Sequence, residues 1–378
     1  MSMQRFLRGL CFALFLLLCG LSASAQTDVD TQSDRGIVIQ PAGLNEIPEG
    51  YSPTTGRLLS EYADVPAECT GLAATGKYTP MLIQIDNTDG GVGYRAPWGS
   101  EYADVVYETP LYRSGVTRIS MLFSDVLPTF VGPCRSARVE HVWIREEWDC
   151  GFIYYGQQTY KGTNVVEEFK KLGANQKGLL FSCIVSNTKP WMKYVTKRKG
   201  LKSPHDKGVN MARISELMPE DYPFPNHAFR FTDTVPEGGE DAAVIYVSWG
   251  NALYDSILRY DRQSGLYSRY VSRKKGDVQL YVDFDTGEAI TFRNVIVQVI
   301  SCSYPSSDAP LPTMLGTGNA DYFLGGKHYS GVWNRESLSD RTVFYGEDGT
   351  EISLLPGRTL IITLDCNTKG RALSYESE

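Results

Sequence analysis

The chain has 378 residues, of which 44 are acidic and 37 basic, giving a formal net charge of −7. That length suits two domains of ordinary size, and an acidic chain without a basic tail excludes nucleic acid as the main partner. Four histidines with no His-Glu-x-x-His spacing, no Gly-x-Ser-x-Gly elbow and no P-loop give no motif for a metal, a cofactor or a standard hydrolase.

Residues 1–25 read as a secretory signal. Arg5 and Arg8 supply the basic start, the run from Leu10 to Leu18 is apolar, and Ala23-Ser24-Ala25 offers a cleavage site before Gln26. The run is shorter than the roughly 20 residues a membrane span needs. Loss of the signal removes two positive charges and takes the net charge from −7 to −9. Cys19 is a possible point of lipid attachment, but Leu18 stands where lipoprotein signals carry a small residue. The expected location is therefore extracytoplasmic, secreted or envelope-associated. Membrane contact is limited to a lipid on Cys19 or an uncleaved signal anchor.

Residues 26–50 are polar, lack periodicity and read as a flexible leader. The first domain is expected over 51–218, with strands at 79–85, 103–107, 116–123 and 151–155. Helices are expected at 136–148 and 165–172. In the first of these, Val139, Val142, Trp143 and Ile144 cluster on one face. Strands alternating with helices give a mixed α/β reading. Pro, Gly and Asp crowd 219–240, the expected linker. Short β-rich runs follow over 241–368, with turns at Asp285-Thr286-Gly287 and Glu347-Asp348-Gly349, and a tail at 369–378. The second domain is expected to be mostly antiparallel β, and the fold class α+β. The segment Asp283-Phe284-Asp285-Thr286-Gly287 matches a calcium loop only in part and reads as a hairpin turn.

Six cysteines remain after the signal: Cys69, Cys134, Cys150, Cys183, Cys302 and Cys366. An even number in an exported protein suggests disulfides, and Cys302 with Cys366, the two in the second half, is the expected pair. No Cys-x-x-Cys spacing points to zinc.

Several segments together resemble one family. They are Ser52-Pro53-Thr54-Thr55-Gly56, Ile85-Asp86-Asn87, Ala103-Asp104-Val105-Val106-Tyr107-Glu108, Gly115-Val116-Thr117-Arg118 and Gly132-Pro133-Cys134-Arg135-Ser136-Ala137-Arg138. Pro204-His205, Tyr267-Ser268-Arg269, Asn294-Val295-Ile296-Val297-Gln298 and Leu355-Pro356-Gly357 continue the match in the same order. This pattern resembles the YerB-like family of bacterial lipoproteins, over nearly all of the chain after residue 50. The resemblance implies a two-part architecture and an envelope address. It implies no reaction, because the family has no assigned biochemical function. The chain departs from the family at Cys19, at Tyr94-Arg95-Ala96-Pro97-Trp98, where a glutamine is lost and the arginine shifted, and at Asp206, which replaces an asparagine.

The sharpest candidate site is 132–138. Gly-Pro breaks a strand, Ser136 is placed to cap the next helix, and Arg135 and Arg138, three apart, can share one side of its first turn. Free N–H groups at a helix start and two guanidinium forks suit an anion. The competing reading is that these arginines pair with internal acids such as Glu108 and Asp104. Glu108 and Arg118 end and begin adjacent strands and are expected side by side. Asp86 closes another strand, and ligands favour strand ends in α/β folds. His205 lies in a loop, and His141 follows Arg138 by three. Tyr154, Tyr155, Tyr160, Trp191, Tyr194 and Tyr222 could line a groove or pack in the core.

The leading functional expectation is a noncatalytic envelope module, with no cofactor. Its partner would be an anionic envelope glycan or lipid phosphate, or an envelope protein. Its ligand-binding residues would be Arg118, Arg135, Ser136, Arg138, Glu108, Asp86 and His205. One alternative is a hydrolase or transferase using a Glu, Asp or His with an arginine anion clamp. Another is a β-rich scaffold for envelope proteins.

Overall fold

The computed structural model describes residues 25–26, 35–88, 96–184, 186, 188–274, 277–305 and 308–377. Most of the signal segment, Cys19, and Tyr94 and Arg95 lie outside the described residues. In chain order, the elements of the first half are β1 (Met81–Ile85), β2 (Val105–Pro110), β3 (Thr117–Phe123), α1 (Val139–Trp148), β4 (Gly151–Tyr154), α2 (Val165–Lys171) and β5 (Leu180–Ser182). The second half supplies β6 (Val244–Trp249), β7 (Ser256–Asp261), β8 (Leu266–Lys274), β9 (Asp277–Leu280), β10 (Asn294–Ile300), β11 (Gly316–Leu324), β12 (Lys327–Arg335), β13 (Val343–Gly346), β14 (Thr359–Asp365) and β15 (Arg371–Glu376). The fold is rich in strand and poor in helix, consistent with an α+β or a β-rich class.

One 11-stranded sheet runs through both halves in the order β12-β11-β10-β14-β2-β3-β1-β4-β5, with β13 and Glu240–Asp241 both on β12. The seam between the halves is β14 against β2, paired in parallel from Thr359 with Val105 to Ile362 with Glu108. The strands β10, β14, β2, β1, β4 and β5 all point the same way, and β3 and β11 run against them. The second half is therefore antiparallel at its hairpins but parallel at its centre, where β10 pairs with β14. Parallel strands are covered on both faces and read as unbroken apolar runs. The Val-Ile-Val of β10 and the Leu-Ile-Ile of β14 are fully buried runs of this kind.

Alternation sorts the strand residues into two cores. Leu82, Val105, Tyr107, Leu122, Ile296 and Ile361 face α1 and share a cluster with Val142, Ile144 and Trp148. Ile83, Val106, Met121, Val295, Val297, Leu360 and Ile362 face the other way. There they meet Ile245, Trp249, Leu258, Tyr267 and Leu373 of a second sheet, ordered β15-β6-β7-β8-β9. Helix α1 is buried nearly all round, including Glu140, His141, Arg145, Glu146 and Glu147. Its apolar stripe alone does not show this enclosure.

Residues 35–50 lie extended along the second half. Ile37, Ile39 and Ala42 pack on Val332, Val343 and Tyr345, and the Gln40 N–H donates to the Gly349 carbonyl at 2.8 Å. Ala25 and Gln26 pair with Tyr375 and Ser374 of β15. Within 219–240, Arg230–Phe231 pairs in parallel with Ser353–Leu354. Among the described residues no helix is long and apolar enough to cross a membrane.

The six cysteines are free thiols, so the expected Cys302–Cys366 bridge is absent. The sheet separates the two. Cys302 packs against the core that faces α1, and Cys366 against the core that faces the second sheet.

Candidate functional site

The common direction of six strands gathers their carboxyl ends along one edge, and α1 starts at that edge. Asp86 follows β1 there, and Arg118 is the second residue of the reversed strand β3. Both point to the α1 face, as Leu82 and Leu122 do. The Asp86 Oδ1 accepts the Thr88 N–H at 3.1 Å and its hydroxyl at 2.8 Å. Oδ2 accepts from the Nδ1 of His205 and lies 3.3 Å from the Nε of Arg135. The Nη1 of Arg118 stands 3.8 Å from Oδ1. Burial alone would raise the Asp86 carboxyl, but the bond from His205 and the charges of Arg118 and Arg135 outweigh it and bring it down to about 2.

Arg118 is 2% exposed, and its Nε and Nη1 have no hydrogen-bond acceptor among the described residues. Burial draws it down to about 10; Asp86 opposes that fall, and Arg135 and Arg138 add to it. Arg138 donates to the Tyr112 hydroxyl at 3.2 Å and to the Ala137 carbonyl at 2.9 Å. Glu140, 1% exposed, makes no well-formed hydrogen bond at either oxygen. Burial pushes it up to about 8 against the pull of its own backbone N–H, Arg138 and Arg118, which favours its protonated form in the fold. His141 is held well below its ordinary value by burial and then by Arg118 and Arg138. Its neutral ring accepts the Arg138 N–H at Nδ1, 3.0 Å away. That leaves Nε2–H to donate to Thr109, also at 3.0 Å. Lys207 pairs with its neighbour Asp206. Around Asp86, then, the guanidinium groups of Arg118 and Arg135 face one ionised carboxylate while the charge of Arg138 acts on Arg118, and this surplus of positive charge suits an anion.

Two expectations change here, and two alternatives left open are answered. Ser136 does not cap α1: its hydroxyl donates to the Tyr155 carbonyl at 2.9 Å, and the cap position is Arg138, closed by His141. Gly156, at φ 89°, leaves room for that contact, since a Cβ there would fall 2.8 Å from the Ser136 Oγ. Glu108 and Arg118 are not partners. The register sets Glu108 opposite Ile119 and Thr109 opposite Arg118, so the two side chains point to opposite faces. Glu108 instead accepts from Arg269 at 2.7 Å and Thr117 at 2.7 Å. Asp104 is likewise absent from the arginine cluster; it accepts the Ser124 hydroxyl at 2.8 Å. The aromatic residues do not converge. Tyr154 packs on the α1 side, Tyr155, Trp191, Tyr194 and Tyr222 on the other, and Tyr160 is exposed.

The structure thus brings Asp86, Arg118, Arg135, Arg138 and His205 together and sets Ser136 and Glu108 apart. It adds Glu140, Tyr112 and Thr109, whose only sequence signal was proximity to the flagged arginines or strand ends. The turn at 283–287 is closed by its own backbone, and its Asp283 accepts the Ser100 N–H at 2.9 Å. An open groove of about 970 Å³ elsewhere contains none of these arginines. Its walls carry five acidic residues, Glu237, Glu240, Glu347, Asp348 and Glu351, against Arg230 and His328, a balance that disfavours an anion.

Residues 69–222 match the family model described as protein of unknown function (DUF3048), N-terminal domain, and residues 245–361 match its C-terminal domain. The chain belongs to the DUF3048 family. A relative in Bacillus subtilis (strain 168), named "Putative lipoprotein YerB", is 24% identical over 307 residues, which span 78% of this chain and 85% of that protein. The crystal structure of the YerB protein from Bacillus subtilis superposes with a TM-score of 0.65 at 19% identity, covering 85% of this chain and 99% of that one. The family description assigns no activity.

Proposed function

We propose that this member of the family is an exported envelope protein that binds an anionic ligand without transforming it. The ligand would be a phosphate or carboxylate group of an envelope glycan or lipid phosphate, received by Arg118, Arg135 and Arg138. The charge imbalance carries this reading: two guanidinium groups share one ionised carboxylate, Arg138 adds a further positive charge acting on Arg118, and Arg118 is buried with two donor nitrogens that lack acceptors among the described residues. An unused buried donor costs free energy until something accepts from it. Export is supported by the signal-like first 25 residues and by the lipoprotein name of the Bacillus relative. The separate matches of the two family models support a two-part chain.

The test is calorimetric titration of the mature chain with inorganic phosphate and pyrophosphate. The Arg135→Ala/Arg138→Ala variant should fold and bind about 100-fold more weakly, the loss expected of two charge-assisted hydrogen bonds. Full affinity in a folded double variant would sink the proposal.

The His205–Asp86 bond favours a second reading. A carboxylate that orients an imidazole is the arrangement of a general base, and the arginines would then clamp the charge that develops in a hydrolase or transferase reaction. Turnover of a phosphate or acyl ester that disappears in His205→Gln, with binding intact, would select this reading over the first.

A further inference from the structure

His205 owes its place to a loop that closes on itself. The Arg198 N–H donates to the Asp206 carbonyl at 2.7 Å, and the His205 N–H to the Lys202 carbonyl at 2.9 Å. At the base of this loop the Arg198 side chain turns away into a box of three rings. Its guanidinium carbon lies 4.3 Å from the centroid of Phe284, 4.7 Å from Trp98 and 5.7 Å from Phe130. Asp285 closes the box with two hydrogen bonds, the longer 3.0 Å.

The box joins everything that builds the site. Trp98 exchanges backbone hydrogen bonds of 2.9 and 3.1 Å with Gly132, at the head of the segment that carries Arg135 and Arg138. A Cβ at Gly132 would fall 2.7 Å from both the Lys207 carbonyl and the Trp98 ring, so only glycine lets the two loops meet there. Phe284 and Asp285 come from the second half, and the Phe284 N–H donates to the Pro97 carbonyl at 2.7 Å. The Arg198 side chain is 16% exposed and that of Asp285 46%. A pair so open to water adds little stability. What a guanidinium fork between rings and a carboxylate does provide is a fixed position.

We propose that Arg198 is a positioning residue: seated among Trp98, Phe130 and Phe284 and clasped by Asp285, it fixes the 198–206 loop so that His205 reaches Asp86. The turn at 283–287 of the second half thereby becomes part of the site. The step from this to ligand affinity rests on the anion-binding reading. His205 and Arg135 share the same Asp86 oxygen. With His205 withdrawn, Asp86 turns to Arg135 and Arg118 and takes up donors that an anion would otherwise receive.

The experiment uses the full chain labelled with ¹⁵N-histidine, four residues in all. The His205 Nδ1–H signal is assigned by its loss in His205→Gln. In Arg198→Ala this proton should exchange with water about tenfold faster, and inorganic phosphate should bind up to about tenfold more weakly, the size of one lost charge-assisted contact. Asp285→Asn should move both in the same direction by less. The double variant should be no worse than Arg198→Ala, because the two residues act as one unit. Arg198→Lys should restore part of the effect, keeping the charge but not the fork. An unchanged His205 signal in folded Arg198→Ala overturns the proposal, as do fully additive effects of the two substitutions. If Arg198→Ala does not fold, Asp285→Asn decides by the same two outcomes. If the wild-type chain binds no phosphate but Arg198→Ala still loosens His205, the positioning role stands and the anion-binding reading falls.

Discussion

Two arginine–carboxylate clusters sit back to back at the same edge of the sheet, separated by one residue of register. On the face toward the second sheet, Glu108 and Arg269 are both fully buried, one charge against one, with Thr117 and Ser256 as further partners. On the face toward α1, Arg118 and Arg135 share Asp86, and the charge of Arg138 acts on Arg118. The residue types are the same, but the first pair is fully buried while Arg135 and Arg138 are only partly so. What differs is the balance of charge: the first cluster sets one guanidinium against one carboxylate, although the Arg269 Nη1 also lacks an acceptor among the described residues, and the second sets two guanidinium groups against one, the surplus that we propose an anion meets. Arginine near carboxylate is by itself no sign of either role.

The largest expected effect attacks the closed cluster. Arg269→Ala strands the Glu108 carboxylate and should cost about 3–5 kcal/mol, read from the urea midpoint, while phosphate affinity holds. Replacing both together, Glu108→Leu with Arg269→Met, should recover most of that loss. A single variant as stable as wild type would erase the contrast between the clusters. Next, Arg118→Met should weaken inorganic phosphate binding by at least about tenfold while leaving the fold intact, since Asp86 keeps Arg135 and His205. Unfolding of this variant would show that the second cluster is structural too.

The third effect is on pH dependence. Glu140 rises from 4.5 in the unfolded chain to about 8 in the fold. Its contribution to stability is therefore complete below pH 4.5 and drains away as pH climbs to about 8, at up to about 1.4 kcal/mol per pH unit. Asp86 works in the opposite sense. Its carboxyl falls from 3.8 to about 2, so its contribution holds above pH 3.8 and is lost as pH drops toward 2. Urea midpoints from pH 4 to 9 should fall more steeply in wild type than in Glu140→Gln, where the raised carboxyls of Glu101 and Asp104 still leave a slope; equal slopes would mean that Glu140 is ionised throughout. The smallest effect is Ser136→Ala. Removing one hydroxyl bonded to a backbone carbonyl should cost about 1 kcal/mol and leave phosphate affinity unchanged. A large loss of affinity would return Ser136 to the site.

Local signals carried the strands well. The runs at 79–85, 103–107, 116–123 and 151–155 fall on β1 to β4, because apolar runs bounded by turn residues are a property of the segment itself. The cysteine pairing was illegible, since which face of a sheet each thiol occupies depends on distant partners. The Glu108–Arg118 pairing failed for a related reason: neighbouring strand ends suggest contact, but a register set by the whole sheet decides it. Arg118, Arg135, Arg138, Asp86 and His205 were each visible as residues at breaks or strand ends. Their convergence, and the arrival of Arg269 and Asp285 from the second half, lie in long-range pairing that no local pattern encodes.

β14 lies late in the chain yet sits between β10 and β2, at the middle of the sheet. A ribosome delivers it nearly last. Until residue 359 emerges, β2 and β10 each offer a bare edge that no later strand has filled, and such edges invite pairing with other chains. The growing polypeptide therefore has to be kept from aggregating for almost its whole synthesis, and shortening it before residue 359 would remove the strand on which both halves close.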